Sequence, residues 1–525
     1  MKTEHIINSL KKAGINPLVS CEPHCDELHL EVSLIDFSRA CLILHKKLKS
    51  PIKTYFAEDC RETGGGYRLY CGFENRVSSK WVFLTISLPE VRGECVSVAK
   101  EIFSAGLFER EMAEMFGIVF QGSPDSRKLK LHPEVWPEGQ YPLRKDFVYF
   151  KTEAPAKNFD HRRIDGEGVF EIPVGPVHAG IIGPGHFRFS VAGEPIINLE
   201  IRLGYTHRGA EKLFEGRAPE DCLKLAESVS GDSAFSYSLS FCRAVEKICS
   251  ITVPGNAEYA RGVFLELERM YNHIADIGAM ALDVGFSFVS AYSSAVKETM
   301  LELAGNICGS RYLKGINRIG GVNICFDPDR KKMVTACLDG IIEDFYRIKK
   351  ILFGSSSFLD RVDTTGIIIK NVGEDFGLSG VSGRAAGITR DLRQDFPGIY
   401  TDEGFKKTVY ESGDALARMK VRIDEFEESA RLVKCFMEKL SPAGDWYSAD
   451  HNLRSGAALG YTESWRGPLL IWVRIDDNNR VTRCKITDPS FLNWQGLTFA
   501  VLGNIVPDFP VINKSFNLSY PGNDL

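Results

Sequence analysis

The chain has 525 residues, with 64 Lys and Arg against 69 Asp and Glu, a formal net charge of −5 with His neutral. That balance argues against a nucleic-acid-binding protein, whose domains carry a clear basic excess. Hydrophobic residues make up 44 % and charged residues 25 %, an ordinary globular composition with enough chain for a large core and two or three domains. No run of about 18 uncharged apolar residues marks a membrane-spanning helix. The opening MKTEHIINSLKKAGINPL is amphipathic and polar without an apolar h-region, so no secretory signal is expected and a cytosolic location follows. The 14 Cys are scattered among apolar neighbours and form no Cys-x-x-Cys, which reads as buried thiols rather than disulfides. The tightest pair, Cys21 and Cys25 with His24 and His29 nearby, lacks the second Cys pair a zinc site needs. No Cys run suits an iron–sulfur cluster held by this chain alone, so no metal site is assigned.

Residues 1–150 read as a small α/β domain. A helix over Glu4–Ala13 leads to strands near 29–34 and 53–56, then to the turn Gly64-Gly65-Gly66. WVFLTISLP, from Trp81, is a strong strand of β-branched and aromatic residues. The spacing of Val98, Ile102, Ala105 and Phe108 predicts a helix over 95–118. Residues 121–150, rich in Pro, Gly and charge, read as an extended arm of the kind that lies on a partner. The polar stretch 151–167 reads as a linker, and 168–525 as a second domain.

The second domain opens with strand text on either side of the Gly/Pro-rich loop Gly175–His186. Helices are predicted near 218–249, 257–284, 289–308, 328–352, 404–411 and 413–439, the last started by a Gly-Asp cap, and together they suggest a bundle. Strand text returns at LLIWVRID and VTRCKIT, a hairpin across Asp-Asn-Asn. The apolar tail 504–525 reads as a loop docked on the body. The fold class is α+β: a small N-terminal α/β domain, then a mainly helical domain with small sheets near both of its ends.

Three segments could carry chemistry. The loop Gly175–His186 holds His178 and His186, two of only 11 His. It either presents polar groups to a cavity or is a tight turn whose His cap carbonyls. The stretch Glu227-Ser-Val-Ser-Gly-Asp-Ser-Ala-Phe-Ser-Tyr237 disfavours helix and offers hydroxyls and Asp232, or caps a helix. Arg384, with Asp391 and Arg393, lies on glycine-broken text, suited to orienting an anion or to an ion pair. No P-loop and no dinucleotide glycine motif follows a strand, so no direct NADH site is assigned.

The motifs themselves are familiar. FEREMAEMFGIVFQGSPDSRKLKLHPEVW with YPLRKDFVYF resembles the complex I 30-kDa-type subunit. GPVHAGIIGPGHFRF, LGYTHRGAEKLFEG, GDALARMKVRIDEFEES and the tail from Asn504 resemble the large subunit of membrane-bound [NiFe]-hydrogenases and its 49-kDa complex I relative. Both occur in one chain, as in the fused large subunits of formate hydrogenlyase and hydrogenase-4. The resemblance implies a peripheral oxidoreductase subunit on the cytoplasmic side of the inner membrane. It would sit beside an iron–sulfur small subunit, which holds a [4Fe–4S] cluster, and antiporter-like membrane subunits.

The departures are as informative. The hydrogenases hold nickel and iron through two Cys-x-x-Cys pairs, and the resemblance places those four thiolates at Ser230, Ser233, Ser490 and Asn493 of this chain. Tyr237 stands where the hydrogenases carry a His. Hydroxyl and amide oxygens are hard ligands, unsuited to a nickel–thiolate centre. The expectation is therefore a site without nickel and iron. A cavity lined by these four residues would pass electrons to a quinone or another small acceptor, with His178 or His186 as proton donor, Asp232 as relay and Arg384 balancing charge. The alternatives are a hydrogenase with another ligand set, a reductase of a sulfur acceptor, and a catalytically silent scaffold.

Overall fold

The computed structural model describes residues 3–89, 93–148, 159–179, 182–449 and 452–525. The first part of the expected linker, 151–158, lies outside the described residues, and 159–166 has no regular structure.

The N-terminal part runs α1 (Thr3–Lys12), β1 (Val19–His24), β2 (Glu27–Glu31), α2 (Phe37–Leu48), β3 (Thr54–Asp59), β4 (Tyr67–Asn75) and β5 (Lys80–Leu88). Its sheet has the order β1-β2-β5-β4-β3, with β2 and β5 parallel and the other pairs antiparallel. Strands β4 and β5 are apolar on both faces because both faces are covered. Leu69, Cys71, Phe73, Val82, Leu84 and Ile86 share one core with α1 and α2. Phe56, Tyr70, Trp81 and Phe83 point the other way and meet Leu459, Leu470 and Trp472 of the C-terminal sheet. The Trp472 ring lies 5.0 Å from both Phe56 and Tyr70. The strand signal in this sequence is thus partly an interdomain core.

The helix expected over 95–118 is shorter. Residues 94–96 form β6 (Glu94–Val96), which pairs in parallel with β7 (Val119–Gln121), and α3 spans only Gly106–Phe116. Glu109 of α3 reaches back, accepting from Ser97 Oγ at 2.6 Å and Val98 N at 2.8 Å. Those contacts hold 97–98 outside the helix, while Val98, Ile102, Ala105 and Phe108 are all buried as the pattern required.

The expected arm lies on its own chain. His132 Nε2 is 2.7 Å from Leu203 O, Lys145 pairs with Glu215 at 2.9 Å, and Lys212 Nζ donates to Arg144 O at 2.9 Å. A buried ionic ladder continues the joint. Glu111 of α3 pairs with Lys130 at 2.6 Å and Lys485 at 2.5 Å, and Glu211 pairs with Arg483 at 2.7 Å.

The second part opens with β8 (Val169–Val174), β9 (His186–Ala192) and β10 (Ile196–Arg202), an antiparallel sheet. Helices α4 (Ala210–Leu213), α5 (Pro219–Val229), α6 (Ala234–Cys249), α7 (Gly255–Asp283) and α8 (Ser287–Cys308) follow. After the short pair β11 (Asn317–Arg318) and β12 (Gly321–Val322) come α9 (Pro328–Phe353), α10 (Ser356–Val362), α11 (Lys370–Phe376), α12 (Gly380–Ala385), α13 (Leu392–Asp395) and α14 (Ala415–Lys439). Helices α7, α8, α9 and α14 share the largest core. Asp414 caps α14, accepting from Ala417 N at 2.7 Å. The helix expected over 404–411 does not form. Gly404 sits at φ +59°, the N–H of Lys406 goes to Glu428, and that of Tyr410 goes to Arg384 O.

The C-terminal sheet has three strands where the sequence suggested two: β13 (Gly456–Ser464), β14 (Gly467–Ile475) and β15 (Val481–Thr487). Behind it lie α15 (Pro489–Ala500), α16 (Phe509–Phe516) and α17 (Tyr520–Asp524), so the tail expected as loop is largely helical. The class is α+β, with an N-terminal α/β region, a helical middle and a small sheet near the C-terminus. Among the described residues no helix is long and apolar enough to cross a membrane.

Candidate functional site

Ser230 and Ser233 sit where the helical text breaks. Ser230 is extended between α5 and α6, and Gly231–Ser233 make a single 3₁₀ turn. Ser490 and Asn493 lie in the first turns of α15, which Asp488 caps by accepting from Ser490 N at 2.7 Å. The fold brings these two segments together through Ser519, ahead of α17. Ser230 Oγ is 2.9 Å from Ser519 Oγ, and Ser490 Oγ accepts from Ser519 N at 2.9 Å. Asn493 faces another neighbour: its amide pairs with the backbone of Ser379 at 3.0 and 3.2 Å. All four residues are buried.

Asp232 is the open member, with 39 % of its side chain exposed. It accepts from Ser230 Oγ at 2.7 Å and from Ser233 Oγ at 3.2 Å, and Arg466 grips it bidentately at 2.9 and 2.6 Å. Burial pulls this carboxyl's pKa upward, but the Arg466 guanidinium and the two serines outweigh it and hold it below the ordinary Asp value. Trp465 Nε1 donates to Ser233 Oγ at 2.9 Å. Trp465 and Arg466 form the tight turn between β13 and β14, a position where small polar residues are usual. Both are buried there. That pairing was the one sequence signal for the clamp, and spacing alone did not expose it.

Tyr237 is buried on α6 and donates to Asp488 Oδ2 at 2.5 Å, tying α6 to the cap of α15. Burial and then the adjacent Asp488 charge push its phenol well above the ordinary Tyr value. His178 approaches from the loop: its Nε2 is 3.4 Å from Tyr520 OH, one residue beyond Ser519. Gly183 and Gly185 let the loop lie on Tyr520, since a Cβ at either would come within 2.8 Å of that side chain. Burial lowers the His178 pKa, as does Lys514, which favours a neutral ring. His186 is placed elsewhere, opposite Arg202 in the β9–β10 register and 5.4 Å from the His161 ring. Burial lowers its pKa too.

Arg384 is fully buried apart from the serines. It pairs with Glu425 at 2.6 Å, Glu463 at 2.8 Å and Asp391 at 3.2 Å. Glu266, Arg269, Arg393 and His273 extend this network. Its contact with the site is indirect: Glu425 holds His273, whose ring is 6.3 Å from Trp465. Cys21 and Cys25 are exposed.

As metal ligands the four positions offer three hydroxyls and one amide, oxygens and nitrogen where a nickel–thiolate centre requires soft sulfur. Each of the four side chains is already hydrogen-bonded within the protein, and none supplies a thiolate, so the residues present do not fit that group. Two cavities, of about 460 and 620 Å³, lie elsewhere and none of the four residues lines them.

An α/β region is joined to a helical domain, and two short motifs meet through the C-terminal tail. Residues 33–153 match the family described as respiratory-chain NADH dehydrogenase, 30 Kd subunit, and residues 283–454 and 445–524 match the 49 Kd subunit family. The chain is 28 % identical to formate hydrogenlyase subunit 5 of Escherichia coli (strain K12) over 95 % of this chain and 89 % of that one. It is 30 % identical to hydrogenase-4 component G of the same organism over 89 % of this chain and 83 % of that one. With the C/D subunit of NADH-quinone oxidoreductase from Bacteroides thetaiotaomicron the figures are 29 %, 74 % and 77 %. The chain belongs to this family of fused 30-kDa and 49-kDa complex I-type subunits.

Proposed function

We propose that this chain is the peripheral large subunit of a membrane-associated energy-converting complex and that it holds no nickel–iron centre. It relays electrons from a [4Fe–4S] cluster in an adjacent small subunit to a quinone or another small acceptor, on the cytoplasmic side of the membrane. Antiporter-like membrane subunits complete the complex. The observation that carries the reading is the chemistry at Ser230, Ser233, Ser490 and Asn493, where no thiolate is present and the polar atoms bond to Asp232, Ser519, Trp465 and Ser379. Asp232 and His178 are the partly open groups at this place. In this reading His178 Nε2 and Tyr520 OH hold a proton for the acceptor, and Asp232, kept ionised by Arg466, orients it.

A second reading, a catalytically silent scaffold, is favoured by one observation: the serines close on one another through Ser519 rather than lining either cavity described above. Elemental analysis of the purified native complex, with H₂ uptake assayed on the same sample, tests the nickel-free reading. Iron without nickel and without H₂ uptake is expected, and nickel near one per chain with H₂ uptake would overturn it. Substitution His178→Ala in the assembled complex separates relay from scaffold. Loss of acceptor reduction supports the relay, and unchanged turnover supports the scaffold.

A further inference from the structure

The cavity of about 460 Å³ lies where α3, residues 124–129, β10 and α15 meet, at the joint of the two parts of the chain. It is within the size range of small-molecule sites. Phe491, Trp494, Gln495 and Thr498 line it from one face of α15, at the i, i+3, i+4, i+7 spacing of a helical stripe. Ser490 and Asn493 fall on the neighbouring face. Phe376, Leu129 and Leu203 extend the apolar floor.

The opposite wall is overloaded with positive charge. Arg110, Arg127 and Arg162 all converge on Asp125, at 3.6, 2.8 and 3.5 Å. Glu200 takes a share of Arg127, and Arg202 is held by Glu134 from outside the cavity. Lys128 also lines the wall and forms no ion pair among the described residues. On the lining itself five cations face two carboxylates, Asp125 and Glu200, with Glu134 and Glu114 behind the wall. Two more groups on the lining lack partners among the described residues: Trp494 Nε1 and Gln495 Oε1 are buried without a hydrogen bond. Buried polar atoms are nearly always satisfied, and an orphan donor, an orphan acceptor and surplus cations around one space point to a missing ligand.

We infer that this cavity binds an amphipathic anion, with its apolar body on the Phe491–Trp494 face of α15 and a carboxylate, phosphate or sulfonate head against Lys128, Arg162 and Arg110. The guanidiniums supply planar paired donors for such a head. The same chemistry could come from a membrane phospholipid or from a soluble aromatic acid.

The test uses the purified full chain and 1-anilinonaphthalene-8-sulfonate, an aromatic anion whose fluorescence rises on binding. One saturable site is expected. Lys128→Glu and Arg162→Glu each reverse a charge at the wall and should weaken binding about tenfold or more. Trp494→Phe keeps a smaller aromatic face, removes the N–H, and should weaken it about two- to tenfold. Lys434→Glu, exposed and paired with Asp339 elsewhere, should bind as wild type. Arg162 is 63 % exposed, so its variant keeps the fold, which circular dichroism verifies. Displacement by monomeric lysophosphatidylglycerol assigns the site to lipid, and displacement by 2-naphthoate to a soluble aromatic acid. Absence of a saturable site, equal binding by all variants, or displacement by neither competitor overturns the inference.

Discussion

Replacing Tyr237 with Phe removes one hydroxyl and changes little else. That hydroxyl donates to Asp488 Oδ2 at 2.5 Å, and both residues are buried. Asp488 would keep its contact with Ser490 N but lose its phenol donor. A hydrogen bond to a buried charged group is worth about 1.5–3 kcal/mol, and the void left by one oxygen adds little. Tyr271 is the internal control: it is equally buried, but its hydroxyl has no partner among the described residues. Tyr271→Phe should therefore be neutral or stabilising by up to about 1 kcal/mol. Because the chain has two parts, a single global unfolding free energy is not the right readout. Hydrogen exchange of the α15 peptide, residues 489–500, reports the local effect. Tyr237→Phe should lower its protection about ten- to hundredfold, since about 1.4 kcal/mol corresponds to tenfold, and Tyr271→Phe should leave it unchanged. Equal effects from the two variants, or no effect from Tyr237→Phe, would refute the argument that Tyr237 locks the start of α15.

Two further expectations concern buried charge. Arg384→Met leaves Glu463 without an ion-pair partner among the described residues and takes one cation from Glu425 and Asp391, which keep His273 and Arg393; breaking such a buried network costs about 3–5 kcal/mol, so the helical part should melt several degrees lower, and an unchanged melting temperature would count against it. Lys53 is buried at the joint, and among the described residues its ammonium makes one long hydrogen bond, 3.4 Å to Gly377 O. Burial lowers its pKa to about 8, with Glu74 opposing and Arg390 adding to the fall. The folded value lies below the unfolded one, so the Lys53 contribution to stability should rise as pH increases from about 8 towards 10.5, while buried thiols such as Cys60, Cys95 and Cys222, whose pKa burial raises, pull the other way; the lysine's share is the difference between the wild type and Lys53→Met. Lys53→Met should be more stable than the wild type at pH 7, by up to about 3 kcal/mol, and this advantage should shrink across that window; denaturant midpoints of both proteins at pH 7, 8.5 and 10 check both statements.

Much of the architecture was readable along the chain. The strand at Trp81, the capped helix after Asp414 and the long helices 255–283 and 328–353 follow from local pattern, because hydrophobic period and capping are properties of neighbouring residues. Local pattern misled where distant groups claimed the backbone. Glu109 holds 97–98 out of α3, and Glu428 and Arg384 take the N–H groups that a helix at 404–411 would have used. The arm at 121–148 was readable as an arm, but its landing place on residues 203–215 was not.

The same division runs through the site. Residue identity alone determined the donor chemistry: three Ser and one Asn are oxygen and amide groups in any fold, and no arrangement of them supplies a thiolate. What they do with those groups was decided only by the tertiary structure. Ser230 meets Ser519 across 289 residues, Asp232 meets Arg466 across 234, and Tyr237 meets Asp488 across 251. His186 and Arg384, grouped with these residues by motif, were carried to other neighbours by the β9–β10 register and by the packing of α12 against α14. Side-chain chemistry is set one residue at a time, whereas hydrogen bonds reach about 3 Å, and only the packing of distant elements brings such partners within that range.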